Sequence, residues 1–198
     1  MANQRDNLSS RDSDTNSDAS IDDIEVFENR VTRWQRPLFA YLGRMGLTPA
    51  VTEEIAQEAL LRCWREKARY RPERSAWSTW LFTIARNLAI NELKRQRRQP
   101  QPFSEKQADG KIDADHFAGQ QTATDSLQQR EHSRAISTAM QRVSQEDREI
   151  LALALIDEIP AREAAQVLGC NDAAYRTRLS RARKRIRTHL ERLLGDAS

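Results

Sequence analysis

Apolar side chains recur three or four positions apart through most of the chain, the spacing of helices that bury one stripe. The first run, Ile24, Phe27, Val31, Trp34, Leu38, Tyr41, Leu42 and Met45, predicts a helix over about residues 21–45. Ser20 is placed to cap it, Asp22 and Asp23 fall in its first turn, and Gly46 stands just past its end. Pro37 inside the run predicts a bend or a division into two helices, because proline removes a backbone donor and crowds the preceding turn. Thr48 and Pro49 then signal a second helix reaching to about Arg69, with Ile55, Ala56, Ala59, Leu60, Cys63 and Trp64 on its apolar stripe. Its other face carries Glu53, Glu54, Gln57, Glu58, Arg62, Arg65 and Glu66, which alone reads as a solvated surface. Pro72, in the basic loop YRPERS, stops this helix.

The stretch Ser75–Arg98, SAWSTWLFTIARNLAINELKRQRR, changes character along its length. Trp77, Trp80, Leu81, Ile84, Ala85, Leu88 and Ala89 fall on or beside one face, and Arg86, Asn87 and Asn91 lead into Lys94, Arg95, Arg97 and Arg98. Such a helix is anchored by its start and offers amides and guanidiniums toward its end, an arrangement suited to an anion. Trp80, in line with Ile84 and Leu88, is expected in the core. Trp77, beside the basic loop, fits a core position and a contact to an unstacked base equally well. Asn87 and Asn91 lie one turn apart and share a face.

From about 100 to 127 the periodicity is lost and Gln, Pro, Asp, Gly and Thr collect, which predicts a flexible linker. Beyond it, helices are expected over about Gln128–Arg142, from Ser144 through Leu155, and over AREAAQVL after Pro160. Gly169 closes the last of these, and Asn171 or Asp172 caps a long final helix with Leu179, Ala182, Ile186, Leu190 and Leu193 inside. A short helix, a glycine turn and a long basic helix form the helix-turn-helix pattern. The expected fold is all-α, with two small helical domains joined by the linker. The divisions are a disordered Ser- and Asp-rich tail at 1–20, a first domain at 21–99, the linker at 100–127 and the helix-turn-helix domain at 128–198.

Composition sharpens this picture through the placement of charge. The 198 residues hold 32 Lys and Arg against 29 Asp and Glu, so the net charge is only +3. Residues 24–99 hold 15 basic and 8 acidic groups and 132–198 hold 12 and 9, while 100–131 hold 3 and 6. Two basic modules flank an acidic connector, the distribution of a protein that touches a polyanion at two places. Cys63 and Cys170 stand far apart with no partner at metal spacing, and His116, His132 and His189 form no paired motif. No phosphate-binding glycine loop is present, so neither an enzyme nor a cofactor or metal is expected. With no long apolar run and no leader pattern, a soluble cytoplasmic protein is expected.

In the final helix, Arg176, Arg178, Arg181, Arg183, Lys184, Arg185 and Arg187 surround one apolar stripe. Its first residues, among them Ala173, Ala174, Arg176, Thr177 and Ser180, would lie nearest base edges in a major groove, with Arg176 the best base reader and later arginines on phosphate.

Three segments carry a resemblance to the extracytoplasmic-function group of bacterial RNA polymerase sigma factors. EEIAQEALLRCW from Glu53, the Ser75–Arg98 stretch, and QEDREILALALIDEIPAREAAQVLGCNDAAYRTRLSRARKRIRTHL from Gln145 are similar to the group's motifs, in the same order. The resemblance implies that Glu54, Gln57, Glu58, Leu61, Arg62 and Arg65 dock on the clamp helices of the polymerase largest subunit, with the flap a further polymerase contact. It implies that Arg71, Arg74, Trp77, Arg86, Asn87, Asn91, Lys94 and Arg95 melt and hold the −10 promoter element. Asn171, Ala173, Ala174, Arg176, Thr177, Arg178, Ser180, Arg181 and Lys184 would read the −35 element. Core polymerase and promoter DNA are the implied partners, and an anti-sigma factor a further one. Trp77 for the usual Phe, Asn91 for the common Asp and Ala174 for a common Thr are departures that bear on promoter preference. The rival reading is a helix-turn-helix regulator that binds DNA without being a polymerase subunit.

Overall fold

A computed structural model describes residues 24–98 and 127–195, with side chains for 24–98 and 135–193. These residues form α1 (Ile24–Arg44), α2 (Pro49–Arg65), a 3-10 turn (Lys67–Arg69), α3 (Trp77–Arg98), α4 (Leu127–Arg142), α5 (Gln145–Ala154), α6 (Ala161–Val167) and α7 (Asp172–Gly195). The expected all-α class holds. The tail at 1–20, the expected cap Ser20 with Asp22 and Asp23, and most of the expected linker lie outside the described residues.

Pro37 does not divide the first helix, since α1 runs through it without a break. A proline inside a helix costs about 3 kcal/mol. Here Trp34 before it and Leu38, Tyr41 and Leu42 after it are all buried, so packing on both sides offsets that cost. The second helix ends at Arg65, earlier than expected. Glu66 leaves helical geometry, and its N–H reaches the carbonyls of Arg62 and Trp64 before the chain tightens into the 3-10 turn.

Local signals set the remaining boundaries. Pro49 opens α2, although the Thr48 side chain accepts no capping bond. Ser144 Oγ accepts from the Asp147 N–H at 3.1 Å and starts α5. The reciprocal half of a capping box is missing because both Asp147 carboxylate oxygens accept from Arg185 Nη1 at 2.8 Å, tying α5 to α7. At the end of α6, Gly169 takes φ +66°, its N–H bonds to the Gln166 carbonyl and the Cys170 N–H to the Ala165 carbonyl, both at 3.0 Å. This pair of bonds is the Schellman ending, which requires the left-handed conformation that glycine adopts without strain.

The buried residues of both halves form one continuous cluster. Leu38, Tyr41 and Leu42 of α1, Ala56, Ala59 and Cys63 of α2, and Leu81, Phe82, Ala85 and Ala89 of α3 fill one end. Ile150 and Leu153 of α5, Ala164 and Val167 of α6, and Tyr175 and Ala182 of α7 fill the other. α1 packs on α5 and α3 packs on α6, so the two halves meet along two helix pairs.

Burial pushes the Cys63 thiol up to about 12, whereas Cys170 is half-buried in the helix-turn-helix turn. Near pH 8 the folded protein should therefore release one equivalent of thionitrobenzoate from Ellman's reagent, and two after denaturation. Two rapid equivalents from the native protein would contradict the burial of Cys63.

Candidate functional site

The outward face of α2 is the first candidate surface. Glu54, Gln57, Leu61, Arg62 and Arg65 are exposed and Glu58 is half-buried, all on one side because they recur at helical spacing. Glu58 and Arg62 pair at 2.6 Å, and Gln57 donates to Glu53 at 3.4 Å. Leu61 sits among these charges with 48% of its surface exposed. Burial of an apolar side chain is worth about 1.5–3 kcal/mol, and Leu61 forgoes much of it in the free protein. The six residues singled out in the sequence thus converge on one face.

The second surface is α3 with the loop before it. Pro72 lies within the turn Arg71–Arg74, closed by the Arg74 N–H to the Arg71 carbonyl at 3.0 Å. Tyr70 fixes the loop by donating from its hydroxyl to the Ser75 carbonyl at 3.2 Å, and its ring lies 5.3 Å from that of Trp80. Arg71 donates to the carbonyls of Ala68 and Tyr70, and both Arg71 and Arg74 are exposed. Further along, Asn87, Asn91 and Lys94 are exposed on one face at helical spacing. Arg95 is exposed and donates twice to Glu92 at 2.7 Å, which holds the Glu92 carboxyl below the usual carboxylate range.

Of the two tryptophans, Trp77, left open between core and base contact, goes to the core, and Trp80, expected in the core, stands at its margin. Trp77 is buried, edge-on to Phe27 of α1 with ring centroids 6.2 Å apart, so its face is not open to a base. Trp80, assigned to the core with Ile84 and Leu88, is only half-buried, and all three pack at the margin of the cluster. The inward stripe is instead Trp77, Leu81, Phe82, Ala85 and Ala89. The Tyr70–Trp80 pair is the aromatic surface beside the basic loop. Its sequence sign is a Tyr just before the loop and a Trp just after it.

Arg86 differs from the other basic residues of α3. It forms an ion pair with Glu149 of α5, and only 23% of the Arg86 side chain and 6% of the Glu149 side chain are exposed. One face of α3 is thus engaged by the opposite half of the chain.

The third surface is the outer side of α7. Tyr175, Leu179 and Ala182 face inward, leaving Ala173, Arg176, Thr177, Ser180, Arg181 and Lys184 exposed and Ala174 and Arg178 half-buried. Asn171 is used locally as well, because its Oδ1 accepts from the Ala174 N–H at 2.8 Å and caps the helix. Arg176 pairs with Asp172 at 2.8 Å across one turn. That exposed pair is worth at most about 1 kcal/mol, so the guanidinium exchanges partners readily. Arg183 and Arg187, absent from the expected base-reading set, line a shallow groove with Arg176, Leu179, Ser180 and Lys184. The described residues hold no cluster of three or more side chains suited to a metal ion, and no helix long and apolar enough to cross a membrane.

Residues 30–99, covering most of α1 through α3, match the family model of sigma-70 region 2, and residues 133–186 match that of sigma-70 region 4. The chain belongs to the sigma-70 family of RNA polymerase sigma factors. It falls in the extracytoplasmic-function group, as its relatives indicate. It is 37% identical over 166 residues to the probable RNA polymerase sigma factor RfaY of Xanthomonas campestris, covering 84% of this chain but only 40% of that protein's length. It is 28% identical to the ECF RNA polymerase sigma factor RpoE of Cereibacter sphaeroides, covering 76% of this chain and 78% of that one. In fold it is similar to the sigma factor RpoE of Bartonella quintana, solved in complex with the anti-sigma factor NepR. That match has a TM-score of 0.61 at 20% identity and covers 87% of this chain and 98% of that one.

Proposed function

We propose that this sigma factor brings core RNA polymerase to promoters by dividing the work among its three surfaces. The exposed face of α2 docks on the clamp helices of the polymerase. α3 and the Arg71–Arg74 loop open and hold the −10 element, and α7 reads the −35 element. The division of labour follows the divisions 21–99, 100–127 and 128–198, with the segment between the helical halves serving as a tether. The observation that supports this reading is an exposed leucine ringed by charged and polar residues on α2 together with two separate basic helix faces on one chain. The chain itself performs no catalysis, since the polymerase makes the phosphodiester bond, and it works in the cytoplasm where polymerase and chromosome are. An anti-sigma factor is a fitting regulator, as the Bartonella relative is held by one.

Promoter-specific run-off transcription with purified core polymerase tests this reading. Stimulation dependent on the protein supports it. Duplex binding with no stimulation would favour a regulator that acts without being a polymerase subunit. Arg176→Ala is expected to change preference at one −35 position by about 1–3 kcal/mol, and Arg187→Ala to weaken binding evenly across sequences and flatten the salt dependence. Anisotropy titrations on a set of single-base promoter variants at two salt concentrations separate these effects, and identical behaviour of the two mutants would count against α7 as the reading helix.

A further inference from the structure

We infer that Asp172 is a positioning residue for base readout, a role that rests on the reading of α7 as the −35 helix. Its carboxylate tethers the Arg176 guanidinium at the leading end of α7, and the tether sets how sharply one base pair is discriminated.

The sequence leaves two residues free to cap α7, and the structure gives that task to one of them. Asn171 Oδ1 accepts from the Ala174 N–H at 2.8 Å, and the Asn171 carbonyl accepts from the Tyr175 N–H at 2.9 Å. The first turn is therefore closed without the Asp172 side chain. The Asp172 carboxylate turns instead to Arg176, one turn further on, and its Oδ2 accepts from Nη2 at 2.8 Å.

Burial of one oxygen makes this carboxylate a fixed point. Oδ1 is shielded from solvent and accepts no hydrogen bond from any described residue. A desolvated carboxylate oxygen without a donor is costly, so the bond at Oδ2 matters more to Asp172 than it would to an acid open on all sides. The Arg176 side chain is 73% exposed, and without a tether its ordering on a base edge costs rotamer entropy. The tether does not use up the guanidinium. It carries five N–H donors in one plane, so Nη2 keeps one hydrogen and Nη1 both of its own while Asp172 is engaged. Parallel donors of this kind are what the O6 and N7 of a guanine accept in the major groove. The same arginine can therefore serve the carboxylate and a guanine edge together.

Charge gives a second sign. Asp172 is the only acidic residue of α7 ahead of Glu191, in a segment with seven Lys and Arg. A carboxylate there weakens attraction to phosphate whatever the sequence, while its hold on Arg176 favours one base pair. The two effects oppose each other in affinity and act together in specificity. Removing the charge therefore separates positioning from a merely structural role at the positive end of the helix dipole.

The test passes a randomised duplex library over the full-length protein at one fixed salt concentration and sequences the bound fraction. Wild type is compared with Asp172→Asn, Asp172→Glu, Arg176→Ala and the double variant Asp172→Asn/Arg176→Ala. At the base pair whose preference Arg176→Ala flattens, Asp172→Asn should lower discrimination by about threefold, the scale of an i,i+4 ion pair. Its affinity for a duplex lacking that base pair should hold or rise. Asp172→Glu keeps the charge within reach of Arg176 and should recover most of the loss. In the Arg176→Ala background, Asp172→Asn should leave the base profile unaltered. Unchanged discrimination by Asp172→Asn beside a clear Arg176→Ala effect would overturn the tether and leave α7 as the reading helix. An Asp172→Asn effect that persists without Arg176 would overturn it too, since Asp172 would then read a base itself. An even loss of affinity with a lower melting temperature by circular dichroism would reduce Asp172 to a helix-terminal charge. A profile that Arg176→Ala leaves untouched would remove the reading helix and the tether together. The expected pattern without run-off stimulation by the wild-type protein would leave the tether standing and remove the sigma factor role.

Discussion

Replacing Leu61 by Asp is expected to weaken association with core RNA polymerase by about 100-fold, or roughly 2.7 kcal/mol, while leaving duplex DNA binding through α7 unchanged. An exposed leucine ringed by Gln57, Glu58, Arg62 and Arg65 has the build of an interface anchor. The apolar side chain gains by leaving water, and the polar rim fixes orientation. The substitution places a desolvated carboxylate at the centre of the contact beside Glu58. At a site open to solvent it costs the free protein little stability, so binding and folding effects separate. Competition against a labelled wild-type protein for core polymerase measures the change. An affinity within about twofold of wild type would remove α2 from the docking surface.

Phe82→Ala is expected to lower folding stability by about 3–5 kcal/mol. Phe82 is fully buried at the meeting of α1 and α3, edge-on to Trp34 at 5.9 Å and to Tyr41 at 5.4 Å between ring centroids. Three rings around one cavity cannot close over a missing one without moving α1, so transfer and cavity costs add. The loss is a large fraction of what a chain of this size has to spare. Urea denaturation followed by circular dichroism gives the value. A loss below about 1 kcal/mol would mean that the aromatic cluster repacks freely. Phe82→Leu, closer in volume, should recover much of the difference.

Several helix boundaries were legible because they carry their own punctuation: Gly46 and Gly169 at positive φ, Pro49 at a helix start, and Ser144 as a cap. So were the faces of α2 and α7, whose charge recurs with the helical period and needs no distant partner to read. Which of Trp77 and Trp80 goes inward was not. The two are three positions apart and both lie on the apolar arc, so local periodicity treats them alike. Phe27 of α1 draws Trp77 inward, and Tyr70 holds Trp80 at the margin. That Pro37 would not divide α1 was hidden for a related reason, since its penalty is local while the packing that offsets it comes from other helices. The Arg86–Glu149 pair joins residues 63 positions apart, and charge patterning along a single helix carries no sign of it. Arg86 accordingly looked like any other basic residue of α3.

Arg148 has a bearing on how freely such a chain can be rebuilt by recombination. One guanidinium serves carbonyls at the ends of α1 and α4, helices contributed by different halves, and it lies where a Cβ at residue 46 would meet it, at a backbone φ of +92° that favours glycine. A chimera that takes its first half from one relative and its second from another keeps this joint in its present form when the glycine and the arginine are inherited together. Across that seam the two halves are not interchangeable parts, and their ancestry is expected to be shared.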